Sequence, residues 1–166
     1  MMIREATAAD WDAIWPFFHE IAAAGETFVY PLDLDKDQGR EWWMITKAPG
    51  RSVVAVDDEH GVVGTAHMNT NRPGNGSHMG TASFMVDPAH AGRGIGRALC
   101  EYVIEWARGA GYRGIVFNAV VETNTAAVEL YRKLGFSVLG TVPEGFKHPD
   151  KGYVGLHMMH LPLTVG

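Results

Sequence analysis

The chain has 166 residues, of which 46% are hydrophobic and 20% are charged, as is typical of a globular protein with one substantial core. Its formal net charge of −5 argues against general binding to nucleic acid or to an anionic membrane, so an anionic ligand needs a local site. The single cysteine, Cys100, excludes an internal disulfide and suits a reducing compartment. We expect neither a signal peptide nor a spanning helix, and predict one domain over residues 1–166 in the cytoplasm.

Hydrophobic periodicity and turn residues divide the chain into eleven helices and strands. The Thr7–Asp10 pair has the pattern of a capping box and predicts the start of the first helix. The predicted elements are, in order, a strand over 3–6, a helix over 7–25, a loop over 25–35, a helix over 38–48, strands over 52–56, 62–68 and 79–86, a helix over 95–109, a strand over 115–121, a helix over 125–134, and strands over 136–140 and 153–161. This order predicts a mixed α/β sheet and argues against a doubly wound one.

Three glycines alternate over residues 92–96, directly after a predicted strand and before a predicted helix. Free backbone amides and the helix dipole make such a turn suited to an anion. No Lys-Ser/Thr pair of a nucleotide-hydrolysing P-loop follows, and Arg97 stands where a dinucleotide-binding fingerprint needs its third glycine. Besides P-loop nucleotides and dinucleotides, the third ligand class that uses such a turn is the pyrophosphate of coenzyme A. The alternative interpretation is a tight strand-to-helix turn that binds no ligand.

The surrounding sequence MVDPAHAGRGIGRAL resembles the loop motif of the GNAT superfamily of N-acetyltransferases, which is Arg/Gln-x-x-Gly-x-Gly/Ala after a strand that ends in apolar-Val-x-Pro. The matching positions are Val86, Asp87, Pro88, Gly94 and Gly96. The segment departs from the motif at Ala91, where the superfamily usually carries Arg or Gln. Arg93 and Arg97 are the nearby sources of positive charge.

A second segment, ETNTAAVELYRKLGF at residues 122–136, resembles the Asn-x-x-Ala-x-x-x-Tyr-x-x-x-Gly-Phe signature of the same superfamily. The matching positions are Asn124, Ala127, Tyr131, Gly135 and Phe136. Two motifs in the superfamily's order, with one strand between them, are much harder to obtain by chance than one. The resemblance implies the GNAT fold, an α/β arrangement in which helices flank a mixed, mostly antiparallel sheet with splayed central strands.

The resemblance also implies which residues contact acetyl-CoA, the acetyl-donor cosubstrate, with no metal required. Main-chain groups of two strand residues would bind the pantetheine arm, the glycine-loop amides would bind the pyrophosphate, and an asparagine would bind the coenzyme at the start of the later helix. These residues are Met85, Val86, Gly92, Arg93, Gly94, Ile95, Gly96, Arg97 and Asn124. Tyr131 would be the general acid that protonates the leaving thiolate. Transfer would be direct in a ternary complex, so Cys100 is expected to be a packed thiol.

The catalytic base is not determined by the sequence. An attacking amine must be neutral, yet an α-amino group titrates near pH ~8 and a lysine amine near ~10.4. Glu26, Glu122 and His78 are candidates, directly or through ordered water, and Glu26 joins Tyr131 and Asn118 among the predicted catalytic residues. Each candidate has a structural alternative, since loop carboxylates are usually solvated and single histidines are usually structural.

The segments AAAGETFVYPLD and EGFKHPDKGY resemble phosphinothricin-type acetyltransferases of the small-molecule branch. The segments NRPGNGSHMGTASFMV and FNAVVETN resemble azetidine-2-carboxylate or proline-analogue acetyltransferases. The implied acceptor is the amine of a small amino-acid-like molecule. The side chain of Asn71 and the backbone N–H of Ala119 would bind its carboxylate, and Asn118 would orient it. Asn118 also interrupts an apolar run, so we expect its side-chain amide to be buried and to form hydrogen bonds. The alternative is that backbone groups inside the sheet satisfy this amide and that it has only a structural role.

Aromatic residues near the first loop predict a small, closed pocket in which Phe28 contacts the acceptor. Tyr30, Trp42 and Trp43 are the other members of this set. His148, in KHPDKGY, lies either near the acceptor or on an exposed loop.

Three other functions are weighed against this hypothesis. A protein or peptide acetyltransferase would need an open groove, and a non-catalytic coenzyme A sensor would not need Tyr131. A nucleic-acid-binding module does not fit the net charge and the scattered basic residues. We therefore predict a small-molecule partner and neither nucleic acid nor membrane; a homodimer is compatible with the sequence, which does not fix the oligomeric state.

Overall fold

The computed structural model describes residues 1–163 and has the order of helices and strands predicted from the sequence. The strands are β1 (Met2–Glu5), β2 (Arg51–Asp57), β3 (Gly61–Thr70), β4 (Met79–Val86), β5 (Gly114–Val121), β6 (Ser137–His148) and β7 (Gly152–Pro162). The helices are α1 (Trp11–Ala24), α2 (Lys36–Trp43), α3 (Ile95–Gly109) and α4 (Thr125–Lys133).

The seven strands form one sheet in the order β1-β2-β3-β4-β5-β7-β6. Every neighbouring pair is antiparallel except β4 and β5, which run parallel. These two strands pair only at Met79–Gly114 and Gly80–Ile115, close to their N-terminal ends, and then diverge. The predicted mixed, mostly antiparallel sheet with splayed central strands is therefore confirmed.

Helices cover both faces of the sheet, which explains why β2 reads as the continuous apolar run Val53–Val56. On one face, α1 and α2 pack through a buried aromatic cluster that includes Trp11, Phe18 and Trp43. On the other face, α3 and α4 bury a second cluster that includes Leu99 and Val128. Within residues 1–163, no helix combines the length and the apolar character that a membrane crossing requires.

Trp43 attaches the end of α2 to the sheet. Its indole Nε1 donates to Thr65 Oγ1 at 2.9 Å. Its carbonyl oxygen accepts hydrogen bonds from Ser52 Oγ at 2.8 Å and from His67 Nδ1 at 3.0 Å. The His67 ring also stacks on the indole, with ring centroids 4.3 Å apart. One residue thus bonds to both β2 and β3 through side chain and backbone.

These contacts explain why the predicted helix over 38–48 is wrong at both ends. The helix begins at Lys36 because Asp35 and Gln38 form a reciprocal capping box, with bonds of 2.8 and 3.0 Å. It ends at Trp43 because β2 and β3 side chains bind the carbonyl there, and Met44 adopts an extended conformation.

The last two strands are longer than the predicted ranges of 136–140 and 153–161. β6 continues to His148 because irregularities between Val138 and Gly140, and again between Val142 and Phe146, absorb the residues that interrupt the strand pattern. Glu144, inside the second irregularity, has a left-handed backbone with φ of 56°.

Replacing Trp43 by Phe is expected to lower the free energy of unfolding by about 2–3 kcal/mol, because the buried bond to Thr65 and part of the core packing are lost. Trp42→Phe is the matched control: Trp42 is 53% exposed whereas Trp43 is 0% exposed. We expect the control to cost about 0.5 kcal/mol or less. Urea unfolding of both variants measures the difference, and equal losses would contradict the anchoring role of Trp43.

Candidate active site

The divergence of β4 and β5 opens a cleft that contains a cavity of about 230 Å³. Its walls come from the loop after α1, from both diverging strands and from α4. The lining residues are Thr27, Phe28, Val29, Tyr30, Thr81, Ala82, Ser83, Phe84, Phe117, Asn118, Ala119, Val120, Val121, Asn124, Ala127 and Tyr131. None of these side chains carries a charge at neutral pH. The cavity therefore offers hydroxyl, amide and backbone groups to a ligand, but no ionic partner.

The glycine-rich loop has the geometry of an anion-binding turn. Gly92 and Gly94 have φ values of +78° and +79°, and an added Cβ at either position would meet nothing within 4 Å. The first bond of α3 runs from Ala98 N to Gly94 O, so the amides of residues 95–97 have no partner inside the helix. An accessible, left-handed loop that leads into free helix amides fits the pyrophosphate of coenzyme A.

Two arginines flank these amides and differ in their contacts. Arg97 Nε donates to Glu101 Oε1 at 2.9 Å, which neutralises part of its charge. Arg93 is exposed, and no ion pair involves it within the described residues. Of the two arginines, Arg93 is thus the one whose charge is not shared with a carboxylate. The superfamily motif would place its Arg or Gln two residues earlier, at the position of Ala91.

The C-terminal end of β4 presents an open backbone edge to the cleft. Met85 and Val86 pair with Thr65 and Gly64 of β3, and within residues 1–163 no β5 residue pairs with them. Their side chains pack into opposite layers, Met85 beneath α1 and Val86 beside α3. An extended ligand arm could therefore add to this edge as an extra strand would.

Tyr131 brings its phenol to the cleft from α4. Its ring centroid lies 4.7 Å from that of Phe117 and 6.0 Å from that of Phe84. Burial, with a smaller contribution from Cys100, raises the pKa of Tyr131, so the hydroxyl stays protonated at neutral pH. Asn124 precedes α4, its side chain makes no cap hydrogen bond, and it also lines the cavity.

Cys100 is buried inside α3, as expected for a packed thiol. Burial, together with the neighbouring Glu101, raises the pKa of Cys100 to about 12. The thiol is therefore protonated at neutral pH and poorly suited to act as a nucleophile.

Asn118 and Asn71 come together on the face of the sheet that carries α1 and α2. Asn118 Nδ2 donates to Asn71 Oδ1 at 2.7 Å and to Thr81 Oγ1 at 3.5 Å. The expected burial of Asn118 is wrong: the residue is exposed because an irregularity between Phe117 and Val120 releases it from β7 where β4 has already diverged. Its amide is satisfied by side chains, and Ala119 beside it is also exposed.

The three base candidates are not gathered at the cavity. Glu26 is exposed and lies outside the lining, although Thr27 and Phe28 belong to it. Glu122 Oε1 accepts a hydrogen bond from Gly155 N at 2.7 Å, and His78 adjoins the end where β4 and β5 are joined. A base assignment for any of them stays a prediction.

His148 has a local structural contact at the β6–β7 turn. It is buried, so an exposed loop position is wrong, and its Nδ1 accepts hydrogen bonds from Asp150 N and Lys151 N, both at 3.1 Å. It does not line the cavity between β4 and β5.

The loop between α1 and α2, called the aromatic loop because it carries Phe28 and Tyr30, closes one side of the cavity. Phe28 and Tyr30 stack with centroids 5.4 Å apart, Phe28 also meets Trp43 at 6.2 Å, and Tyr30 meets Trp42 at 5.4 Å. Besides Thr27 in the loop after α1, sequence reasoning missed two polar lining residues on β4, Thr81 and Ser83. Their alternation with apolar neighbours in TASF was the available signal, because it places both hydroxyls on one face of β4.

A larger cavity of about 860 Å³ lies elsewhere, between β1, the segment after α2 and the C-terminal half of α3. None of the predicted site residues lines it. The smaller cleft is the better candidate because Asn124, Ala127 and Tyr131 of the second sequence motif line it, together with the predicted acceptor contacts Phe28, Asn118 and Ala119.

A sequence model of the acetyltransferase (GNAT) family matches residues 14–136, most of the chain. This match covers α1 through α4 and includes the glycine loop, Asn124 and Tyr131. The chain therefore belongs to the acetyltransferase (GNAT) family.

Two solved structures share the whole fold. A GCN5-related N-acetyltransferase from Kribbella flavida is 56% identical, with a TM-score of 0.94 over 98% of this chain and 97% of that one. The protein yncA from Salmonella typhimurium, solved with its cofactor acetyl-CoA, is 26% identical, with a TM-score of 0.82 over 100% and 95% of the two chains.

Two characterised relatives extend the comparison. N-acetyltransferase aca1 of Schizosaccharomyces pombe is 30% identical over 118 residues, which are 69% of this chain and only 56% of that protein. The L-methionine sulfoximine/L-methionine sulfone acetyltransferase of Salmonella typhimurium is 30% identical over 146 residues, 87% of this chain and 84% of that protein.

The packing of His67 makes the stability of the protein depend on pH. Burial lowers the pKa of His67 from 6.5 to about 4, opposed by its hydrogen bond to the Trp43 carbonyl. The unfolded state then binds more protons between these two values, so stability is lost as the pH falls from about 6.5 toward 4.

Going from pH 7 to pH 4.5 is expected to remove about 2–3 kcal/mol of unfolding free energy through His67 alone. His67→Asn can keep the donor to the Trp43 carbonyl while removing the titrating ring. Urea unfolding at both pH values should show a smaller loss for the variant than for the wild type. Equal losses would contradict a half-buried His67 that stays neutral in the folded protein.

Proposed function

We propose that the protein transfers the acetyl group of acetyl-CoA to the α-amine of a small amino acid with an uncharged side chain. The observation that carries this proposal is the cavity of about 230 Å³ without a charged side chain, beside the paired amides of Asn71 and Asn118. A second ammonium group would lose its hydration there without gaining a carboxylate partner. Polyamines, aminoglycosides and lysine side chains therefore fit poorly.

The acceptor carboxylate is bound by neutral donors in this proposal. Asn71 provides its side-chain Nδ2, and Asn118 orients the site by donating to Asn71 Oδ1. The backbone N–H of Ala119 lies beside Asn118 on the same unpaired stretch of β5. Phe28 and Tyr30 contact the acceptor's side chain from the loop. Methionine sulfone and sulfoximine, named for a relative, are amino acids with uncharged polar side chains and agree with this chemistry.

The coenzyme is held by groups of the opposite layer. The loop amides of residues 92–97, with Arg93 and Arg97, bind the pyrophosphate, while Met85, Val86 and Asn124 bind the arm. The acetyl-CoA found with one structural neighbour supports this cosubstrate. Tyr131 Oη donates its proton to the sulfur as the C–S bond breaks, in a direct transfer within a ternary complex.

Four further properties are proposed for the protein. These are a single domain over residues 1–166, a cytoplasmic location, catalysis without a metal, and partners other than nucleic acid or membrane. A homodimer is compatible with the proposed site. Glu26 keeps its predicted catalytic role only through a water or a loop movement, since it is exposed outside the cavity lining.

A panel of amines tests the acceptor, with release of the coenzyme A thiol as the measurement. It contains L-methionine sulfone, L-methionine sulfoximine, L-proline, azetidine-2-carboxylate, spermidine, an aminoglycoside and a lysine peptide. The matched control is 3-(methylsulfonyl)propylamine, which is methionine sulfone without its carboxylate. We expect kcat/KM for the amino acid to exceed that of the control about 10–100-fold, as for hydrogen bonds to a charged group.

Turnover of spermidine, the aminoglycoside or the peptide at the highest kcat/KM would overturn the amino-acid assignment. Equal kcat/KM for methionine sulfone and its decarboxylated control would remove the carboxylate role of the two asparagines. Binding of acetyl-CoA without turnover of any amine would favour a coenzyme A sensor.

Replacing Tyr131 by Phe tests the general acid. We expect kcat to fall about 100-fold or more, because the leaving thiolate loses its proton donor. The Kd for acetyl-CoA, measured by calorimetry, should change less than about twofold, because the ring still packs on Phe117. A kcat within threefold of wild type would contradict the assignment.

A further inference from the structure

The cavity lacks a side chain that can take a proton from the acceptor amine. Its titratable lining residues are Tyr30 and Tyr131, and burial raises the pKa of both. Both therefore stay protonated and can donate, but not accept, a proton at neutral pH. The proton released when the amine is acetylated must leave by another group.

An imidazole on β3 lies behind the cavity wall. His67 pairs directly with Ser83 in the register between β3 and β4, and Ser83 lines the cavity. Directly opposed residues have Cβ atoms about 4.5–5.5 Å apart. Both side chains lie on the face of α1 and α2, since the alternate residues Ala66 and Phe84 pack into the other layer.

The contacts of His67 leave one nitrogen free to accept. A carbonyl oxygen only accepts, so the 3.0 Å contact with Trp43 O fixes the proton on Nδ1 and leaves Nε2 with a lone pair. Stacking on the Trp43 indole holds the ring in place. Within residues 1–163, no hydrogen bond from a protein group reaches His67 Nε2 or Ser83 Oγ.

We propose that Ser83 and His67 form the proton relay that serves the acceptor amine. The neutral amine nitrogen bonds to the acetyl carbon, and the C–S bond breaks. Ser83 Oγ takes the proton from the amine nitrogen and passes its own to His67 Nε2 through a bridging water, since the two side-chain atoms do not hydrogen-bond each other directly. Tyr131 Oη protonates the sulfur. A net proton transfer from His67 to Tyr131 through water restores both groups. Ser83 touches the acceptor, and His67 acts through Ser83.

The properties of His67 suit a concerted transfer. Its pKa of about 4 keeps the ring neutral, and therefore able to accept, at every pH where a useful fraction of the amine is free. Such a weak base takes a proton only as the N–C bond forms, because bond formation makes the amine nitrogen acidic. The residues paired with it across both strands, Ser52 and Ser83, are uncharged.

The relay rests on the proposed acetyl transfer and is tested by a double-mutant cycle on the full chain with methionine sulfone. Ser83→Ala and His67→Asn should each lower kcat about 100-fold, the usual contribution of a positioned base. The double variant should lose no more than about threefold beyond either single variant, because the two groups act as one unit. Ser83→Thr retains the hydroxyl and should recover most of the kcat.

Thr81→Val is the matched control for a second cavity hydroxyl on the same strand. It should raise KM for the acceptor and leave kcat closer to wild type than Ser83→Ala does. Any of three results would overturn the relay. The first is a double variant in which the two losses multiply, and the second is a kcat within threefold of wild type for either single variant. The third is a Ser83→Thr variant that recovers no kcat.

A spectroscopic measurement separates the relay from the acceptor assignment. In a long-range ¹⁵N spectrum, His67 should show a protonated Nδ1 and a bare Nε2 whose resonance shifts in Ser83→Ala, in the presence of coenzyme A. An Nε2 resonance unaffected by the substitution overturns the relay, whichever amine is the substrate. A shift in Ser83→Ala, with no turnover of any amine by the wild type, overturns the proposed acceptor instead.

Discussion

The fold depends on the limited pairing between β4 and β5, which share only two residue pairs before they separate. Two parallel strands in the middle of a sheet normally satisfy each other's backbone groups along their whole length. Here the strands stop pairing after two residue pairs, and the gap between them contains a cavity lined by residues of both strands. The irregularity at residues 118–119 of β5 releases a second stretch of backbone from β7, and both residues line the same cavity.

Trp43 keeps this gapped sheet rigid on the side where the acceptor is expected. Its bonds to Thr65, Ser52 and His67 connect α2 to two strands that lie on the intact half of the sheet. The aromatic loop then rests on the same indole through Phe28. The glycine-rich loop is supported independently, by α3 and its packing against the opposite face.

Sequence reasoning recovered the order of elements and the glycine loop because both are written in local patterns: apolar periodicity, and the positive φ that Gly92 and Gly94 adopt. It misjudged the end of α2, where side chains on β2 and β3 bind a helix carbonyl that local sequence cannot show to be bound. It expected Asn118 to be buried because the irregularity that releases it depends on pairing with β7. The juxtaposition of His67 and Ser83 requires the register between strands, which no single segment encodes.

The placement of the two halves of the site on opposite layers has a consequence for how such a protein can diverge. The groups assigned to the coenzyme belong to the end of β4, to the loop before α3, to the first turn of α3 and to the start of α4. Those assigned to the acceptor belong to the first loop and to the face of the sheet beneath it. Exchanges at Phe28 or Val29 reshape only one wall of the cavity. A lineage can therefore acquire a new acceptor by drift in a surface loop while the donor chemistry stays under separate selection.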